Sequence, residues 1–134
     1  MKSLHNIYLG NQQDPTPNYS QNQIASQFIT LVERHFREQK PLAFYAKQID
    51  IQEKDLIKSV QNCLHKAPRK ILNEYLVKEL IVQIGATDLP MKELSLQYGF
   101  NSHAQFTRFV KSTTGLTPSR YRALKYIEYL ADSE

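Results

Sequence analysis

The stretch YGFNSHAQFTRFVKSTTGLTPSRYR, residues 98–122, decides the fold class of this chain. Its first three residues are a turn signal between two short segments with helical periodicity. Residues 94–127, which surround that turn, contain five Arg or Lys side chains and no Asp or Glu. A helix, a tight turn and a second, basic helix present one face to a DNA groove. The pattern therefore predicts a helix-turn-helix with a nucleic-acid partner.

A weaker copy of this pattern lies 50 residues upstream. The pairs match in character: Leu56 with Phe106, Lys58 with Arg108, Val60 with Val110, and Pro68 with Pro118. Upstream of the turn the offset falls to 49, which places one inserted residue in the second turn, near Gly99. Two copies are too few for a solenoid, which needs at least three stacked units. The repeat instead indicates a duplicated recognition unit.

Composition excludes several classes of protein. The 134 residues are 41% hydrophobic with a formal net charge of +4, which is ordinary for one globular domain or two very small ones. Cys63 is the single cysteine, so an internal disulfide is excluded and a reducing cytoplasm is the expected compartment. No apolar run approaches the roughly 18 residues of a membrane span. The first ten residues lack the apolar core of a signal peptide.

The chain divides into a polar arm and a helical module. Residues 10–23 are polar, hold two prolines and have nothing to bury, so we expect residues 1–23 to be a linker or a disordered arm. The first nine residues contain enough apolar side chains for a short docking segment, namely Leu4, Ile7, Tyr8 and Leu9. From Ile24 onward the periodicity predicts seven helices and no strand.

The predicted fold is all-α, with two helix-turn-helix units joined by a long shared helix. We assign residues 24–67 to the first unit, 68–85 to the shared helix and 86–134 to the second unit. Pro68 suits the first turn of the shared helix, and Gly85 is the residue expected just after its end. A rigid shared helix would space the two recognition helices by about one DNA turn, roughly 34 Å.

Laid out in this way, the chain resembles the DNA-binding domain of the AraC/XylS family of bacterial transcription regulators, over about 100 residues from Ile24. The matching positions are Tyr98-Gly99-Phe100, Ser102, Phe106-Thr107-Arg108, Lys111, Gly115, Thr117-Pro118 and Tyr121-Arg122. Phe44-Tyr45-Ala46 and Asn73-Glu74-Tyr75 further resemble members common in Bacteroidetes-type bacteria. The chain departs from the family pattern at Val110, where Phe is usual, and at His65, where Gly is usual.

The resemblance implies a sequence-specific regulator that binds double-stranded operator or promoter DNA, with no catalytic activity, cofactor or membrane. RNA polymerase is an expected partner. Family members usually carry a sensor or dimerisation domain before this module, so the chain is either a stand-alone regulator or the C-terminal part of a longer protein. The polar arm favours the interpretation as the C-terminal part of a longer protein. The alternative function is a helical protein-interaction module that has kept the fold and lost specific DNA binding.

Four side chains of the second unit are candidate base contacts. Arg108 lies midway along the sixth helix, and arginine pairs bidentately with guanine O6 and N7. His103 and Thr107, four residues apart, share its neighbourhood and can contact a base or a phosphate. Ala104 can meet a thymine methyl or allow close approach. The competing interpretation for each is an ordinary solvent-exposed surface.

Lys54, Ile57 and Lys58 occupy the corresponding positions of the first unit, and Lys58 is its best groove contact. Lysine is a point charge without the planar fork of arginine, so it reads guanine less selectively. Glu53 and Asp55 begin the same helix and are unfavourable near DNA, which weakens the case for base reading by this unit.

Six further basic residues are candidate phosphate contacts, which position a protein without reading sequence. They are Lys111, Arg120 and Arg122 in the second unit, and Lys66, Arg69 and Lys70 around the start of the shared helix. The alternative interpretation of Arg122 is that it forms a structural ion pair. The alternative for the cluster at the start of the shared helix is that it is a solvated basic turn. No His or Cys spacing indicates a metal site, and nothing around Cys63 indicates a nucleophile.

Overall fold

Seven α-helices account for most of residues 20–132, the part of the chain that the computed structural model describes. They are α1 (Gln21–His35), α2 (Leu42–Ile49), α3 (Glu53–Leu64), α4 (Pro68–Ala86), α5 (Met91–Gln97), α6 (His103–Thr114) and α7 (Pro118–Asp132), with a 3-10 turn at Phe36–Glu38. This range contains no strand, so the all-α prediction is confirmed. The apolar segment at Leu4–Leu9 and most of the polar arm lie outside the described residues.

The helices form two compact units. Among the described residues, the first comprises residues 20–36 together with Lys40–Tyr75, and the second comprises Arg37–Gln39 together with residues 76–132. The division falls inside α4, so the helix predicted as a separate linker contributes residues to both units. The short segment Arg37–Gln39 belongs to the second unit although the helices on either side of it belong to the first.

A capping box starts α1 earlier than the apolar pattern indicates. The Ser20 hydroxyl accepts a hydrogen bond from the Gln23 N–H at 3.2 Å, and the Gln23 side-chain oxygen accepts one from the Ser20 N–H at 3.0 Å. Each side chain satisfies a backbone donor that the helix end leaves free. Residues 20–23 are therefore the cap and first turn of α1, and the prediction that they belong to the polar arm is wrong.

The core of the first unit forms where α1, α2 and α3 meet. Phe28, Tyr45, Leu56 and Val60 are fully buried, and the Phe28 and Tyr45 rings meet edge to face with centroids 5.4 Å apart. Cys63, beside this core, donates a hydrogen bond from Sγ to the Asn22 side-chain oxygen at 3.0 Å. Burial raises the pKa of the Cys63 thiol, which agrees with a structural rather than a nucleophilic cysteine.

The core of the second unit explains the departure at Val110. Val110 and Phe106 are fully buried, whereas Phe109 is half-buried with its ring centroid 5.5 Å from that of Phe100. Phe100 also meets Phe106 edge to face at 5.2 Å. The unit therefore keeps its aromatic cluster with a phenylalanine one position earlier than the family pattern has it.

Gly85 does not end α4, because the helix continues through Ala86. A Cβ atom on Gly85 would lie 3.1 Å from Lys125 Cγ and 3.6 Å from Tyr121 Cε1. The glycine therefore allows α7 to approach α4 closely, and the expected role as the residue after the helix is wrong.

Candidate nucleic-acid interface

The turns of the two helix-turn-helix units have the same backbone hydrogen bonds. In the first, the Ile51 N–H donates to the Ala46 carbonyl; in the second, the Phe100 N–H donates to the Ser95 carbonyl; both distances are 3.0 Å. The left-handed residue in the first turn is Asp50 (φ +64°), and in the second it is Gly99 (φ +76°). Donors and acceptors differ by 49 positions, as the sequence repeat predicts. The duplication is therefore visible in the backbone as well as in the sequence.

The inserted residue of the second turn is Asn101. Gln52 caps α3 and Ser102 caps α6, so the offset is already 50 at the helix start. The Asn101 N–H donates to the Gln105 side-chain oxygen at 2.7 Å, and Ser102 Oγ accepts from the Gln105 N–H at 3.1 Å. Gln52 makes no such side-chain cap bond. The start of α6 therefore has more of its backbone donors satisfied by side chains than the start of α3.

The two recognition helices also end alike. Gly115 follows α6 with φ +85°, and His65 follows α3 with φ +59°. The backbone N–H of each donates to the carbonyl four residues earlier, at 2.8 Å from Gly115 and 2.9 Å from His65. Histidine at this position therefore preserves the path of the chain, at the steric cost that a left-handed residue with a Cβ atom carries.

One face of α6 is exposed and basic. His103, Ala104, Arg108 and Lys111 are exposed and Thr107 is half-buried, so the predicted contacts lie together on one side of the helix. The opposite side packs into the core of the unit through the buried residues Phe106 and Val110. Within residues 20–132, no carboxylate pairs with Arg108 or Lys111. Their charge is therefore available to an anionic partner.

The two arginines at the start of α7 have different surroundings. Arg120 is exposed, and its backbone N–H donates to Thr117 Oγ1 at 3.2 Å. Arg122 is half-buried, and its Nε donates to the Ile84 carbonyl oxygen at 2.8 Å. Its Nη2 is buried without a hydrogen-bond partner in the described residues. The surroundings of Arg122 favour the structural alternative over a phosphate contact, although its partner is a backbone carbonyl rather than the expected carboxylate.

The corresponding face of α3 carries mixed charge. Lys54 and Lys58 are exposed, Ile57 is 38% exposed, and both acids of the first turn, Glu53 and Asp55, are exposed beside them. The position that Lys111 occupies on α6 is held on α3 by the neutral residue Gln61. The three predicted contacts of α3 therefore lie together, on a face that is less positively charged than the exposed face of α6.

The basic cluster around the start of α4 is partly neutralised. The Lys66 ammonium donates to both carboxylate oxygens of Glu74, at 3.0 and 3.1 Å. Arg69 and Lys70 are exposed and make no ion pair within the described residues. Arg69 and Lys70 are therefore better phosphate candidates than Lys66.

Lys92 is a basic residue near α6 that the sequence prediction missed. It lines a cleft of about 430 Å³ together with Leu96, Phe100 and His103, at the start of α6. The repeat offers no signal for it, because its counterpart 49 positions earlier is Ala43. Lys92 adds positive charge beside the exposed face of α6.

Comparison with known proteins assigns the family. A family model described as a helix-turn-helix domain matches residues 45–124, more than half of the chain, and contains both turns and both recognition helices. The chain belongs to the AraC-type helix-turn-helix family. The resemblance seen in the sequence is thereby confirmed for the family, whereas the affinity with Bacteroidetes-type members stays a prediction.

Curated relatives and solved structures resemble this chain. An uncharacterized HTH-type transcriptional regulator of Staphylococcus aureus is 29% identical over 97 residues, 72% of this chain. The match covers 13% of that protein, so the chain spans only a small part of the length of its curated relatives. The C-terminal domain of AraT, a response regulator from Geobacillus stearothermophilus, superposes with a TM-score of 0.71 at 18% identity, covering 84% of this chain and 88% of that one.

A third comparison is with a domain that was solved on DNA. The DNA-binding domain of AdpA, a global transcriptional factor solved in complex with a target DNA, superposes with a TM-score of 0.70 at 17% identity. It covers 78% of this chain and 94% of the AdpA chain. These similarities establish the fold. Among the helices of residues 20–132, none is both long and apolar enough to cross a membrane.

Proposed function

We propose that this chain is the DNA-binding part of a transcription regulator. It binds double-stranded DNA sequence-specifically and places α3 and α6 in successive major-groove segments about one helical turn apart. The observation that carries the proposal is the exposed face of α6, where Arg108 and Lys111 have no carboxylate partner in the described residues. Membership of a helix-turn-helix family supports the same function.

The residues of the interface take different roles in this proposal. Arg108 reads a guanine from α6, with His103, Ala104 and Thr107 beside it, and Lys58 is the main groove contact of α3, with Lys54 and Ile57 beside it. Lys111, Arg120, Arg69 and Lys70 hold phosphates and set the position of the domain on the duplex. No cofactor enters the binding step. RNA polymerase at the promoter is the proposed partner in regulation, and the cytoplasm is the proposed location.

A protein-interaction module is the second candidate function. It is favoured by the exposed acids at the start of α3 and by the large exposed side chains of α7, among them Tyr126, Ile127 and Tyr129. The two candidates differ in their dependence on salt. Binding to DNA releases one condensed counterion for nearly every phosphate that is neutralised, so affinity falls steeply as salt rises. A protein interface of this mixed composition would show a much shallower dependence.

The test is a selection of bound fragments from a genomic library, followed by titration of the enriched duplex at several salt concentrations. We expect a shared sequence to be enriched and the affinity for it to fall steeply with salt. Failure to enrich any sequence over the input library would contradict the proposal. A shuffled duplex of the same composition is the control, because it keeps the phosphates and removes the sequence.

A further inference from the structure

Tyr98, the residue between α5 and the second turn, is hydrogen-bonded through both its side-chain hydroxyl and its backbone carbonyl. It is 7% exposed, and its phenolic O–H donates to Glu79 Oε2 at 2.8 Å. Its backbone carbonyl accepts a hydrogen bond from the Gln39 side-chain amide at 2.6 Å. Burial and the bond to Glu79 raise the pKa of Tyr98 to about 12, so the phenol remains a donor throughout the neutral range.

Glu79 is itself fixed by a second partner. Arg37 donates from Nη2 to Glu79 Oε1 at 2.6 Å and from Nε to Oε2, which is the bidentate geometry of a strong charge-assisted pair. The hydrogen bonds from Arg37 hold the pKa of the Glu79 carboxyl below its usual range, with the Tyr98 bond acting in the same direction. Glu79 therefore stays ionised and accepts from both neighbours at neutral pH.

The segment that supplies Arg37 and Gln39 also lies against the turn. A Cβ atom on Gly99 would be 3.7 Å from the Glu38 carbonyl oxygen and 3.9 Å from that of Arg37. Gln39 has a φ of +52°, a left-handed conformation that is sterically unfavourable for a residue with a Cβ atom. Such a conformation persists when its surroundings hold it in place, and strained residues of this kind concentrate at functional sites.

We propose that Arg37, Gln39, Glu79 and Tyr98 form a clamp that positions α6 for base reading. The inference rests on the proposed DNA-binding function. Only the turn from Gly99 to Ser102 separates Tyr98 from the first residue of α6, so the position of Tyr98 sets where that helix begins. Contacts to base edges require supporting residues to hold their geometry within roughly 0.5 Å and 10–20°. The clamp residues touch no base, and they act through the turn.

In the part of the first unit that the structure describes, the equivalent turn has no such clamp. The counterpart of Tyr98 is Ile49, which is apolar and buried at 2% exposure, so it has no hydroxyl to bond. Removing a hydrogen bond of the clamp should therefore change discrimination among bases by α6 and leave discrimination by α3 unchanged. That difference separates a positioning role from a loss of stability, which would weaken binding to every base position alike.

The experiment compares two Tyr→Phe substitutions in the full chain. Tyr98→Phe removes the bond to Glu79 and keeps the ring. Tyr75→Phe is the matched control, since the Tyr75 hydroxyl also bonds a carboxylate, Glu33 Oε2 at 3.4 Å, but within the first unit. Binding is measured on the selected duplex and its single-base variants, at a temperature where circular dichroism shows each variant folded.

We expect Tyr98→Phe to lower affinity about tenfold, with most of the loss in discrimination among bases of the α6 segment. Glu79→Gln, which weakens both the Arg37 and the Tyr98 bonds, should relax the same segment. Tyr75→Phe should leave that segment as strict as in the wild type. If Tyr98→Phe and Glu79→Gln melt at lower temperature yet keep wild-type discrimination at every position, the clamp only stabilises the fold and the inference is overturned. Absence of specific binding by the wild type would instead reject the proposed function.

Discussion

Arg108 and Lys58 occupy equivalent positions on the two recognition helices and differ in what they can read. Both are exposed on a face whose opposite side is buried. Arginine offers a planar fork that matches guanine O6 and N7, whereas lysine offers one rotating point charge. We therefore expect the second unit, which has the arginine, to read its DNA segment more strictly than the first.

Replacing Arg108 by alanine tests that assignment. Loss of one bidentate base contact should cost about 1–3 kcal/mol of binding free energy and relax one operator position. The melting temperature should hardly change, because the side chain is exposed. Arg34→Ala is the control, since Arg34 is an exposed arginine on α1, outside both recognition helices. Unchanged affinity and base preference in the Arg108 variant would reject its role.

The Glu79 carboxyl gives the fold a pH dependence of known sign. Its pKa is lowered in the folded state, so its contribution to stability is complete above the unfolded value, about 4.3, and is lost as pH falls through the folded value. Wild type should therefore melt above Glu79→Gln at pH 7, and the difference should shrink toward pH 3. Thermal melts at both pH values measure it. A difference that stays constant would show that Glu79 acts by shape and not by charge.

Single residues also show where sequence reasoning stops. The exposed basic positions of α6 follow from helical periodicity around Phe106 and Val110, because the buried side fixes the exposed one. The partner of Arg122 could not be found in this way, since its bond to the Ile84 carbonyl joins residues 38 positions apart. No local pattern predicts the clamp at Tyr98 either, because Gln39, which donates to the Tyr98 carbonyl, lies 59 positions away.

Among the secondary-structure elements, the sequence predicts a helix end correctly where the glycine or proline at that end has only one possible steric role. Gly99, Gly115 and Pro118 lie where the turn, the left-handed end of α6 and the first turn of α7 require them. Gly85 was misassigned because glycine also serves close packing, which depends on α7 and is invisible in the local sequence. The prediction starts α1 too late because it rests on apolar periodicity alone, although the spacing of Ser20 and Gln23 is itself a helix-start signature.

Gly115 provides a prediction at this scale. Its φ is +85° and a Cβ atom there would meet no atom within 4 Å, so Gly115→Ala carries a conformational cost without a clash. We expect a loss of about 1 kcal/mol in the free energy of unfolding, measured by urea denaturation. His65→Gly at the matching end of α3 relieves the same strain, so it should be neutral or slightly stabilising. Equal destabilisation by both changes would contradict the shared left-handed ending.

At the scale of the whole molecule, the two units carry one backbone design with unequal surfaces. Both units have the same turn hydrogen bonds and the same left-handed helix ends. The second unit has the more basic exposed face, and only its recognition helix has a side-chain cap. A duplication whose halves have diverged is expected to read one half-site strictly and the other loosely. A base-by-base substitution scan of the selected duplex should therefore show one strongly constrained segment and one tolerant segment. Equal constraint in both would contradict the inequality drawn from Arg108, Lys58, Glu53 and Asp55.

In the proposed complex, α3 and α6 enter successive major-groove segments of one duplex. Methylation of guanine N7 modifies an atom that faces the major groove, so interference by this methylation reports groove contacts directly. On the selected duplex we predict two clusters of interference about 10–10.5 base pairs apart, with the guanine contacted by Arg108 in the stronger cluster. A single cluster, or binding that N7 methylation does not affect, would contradict this mode of binding.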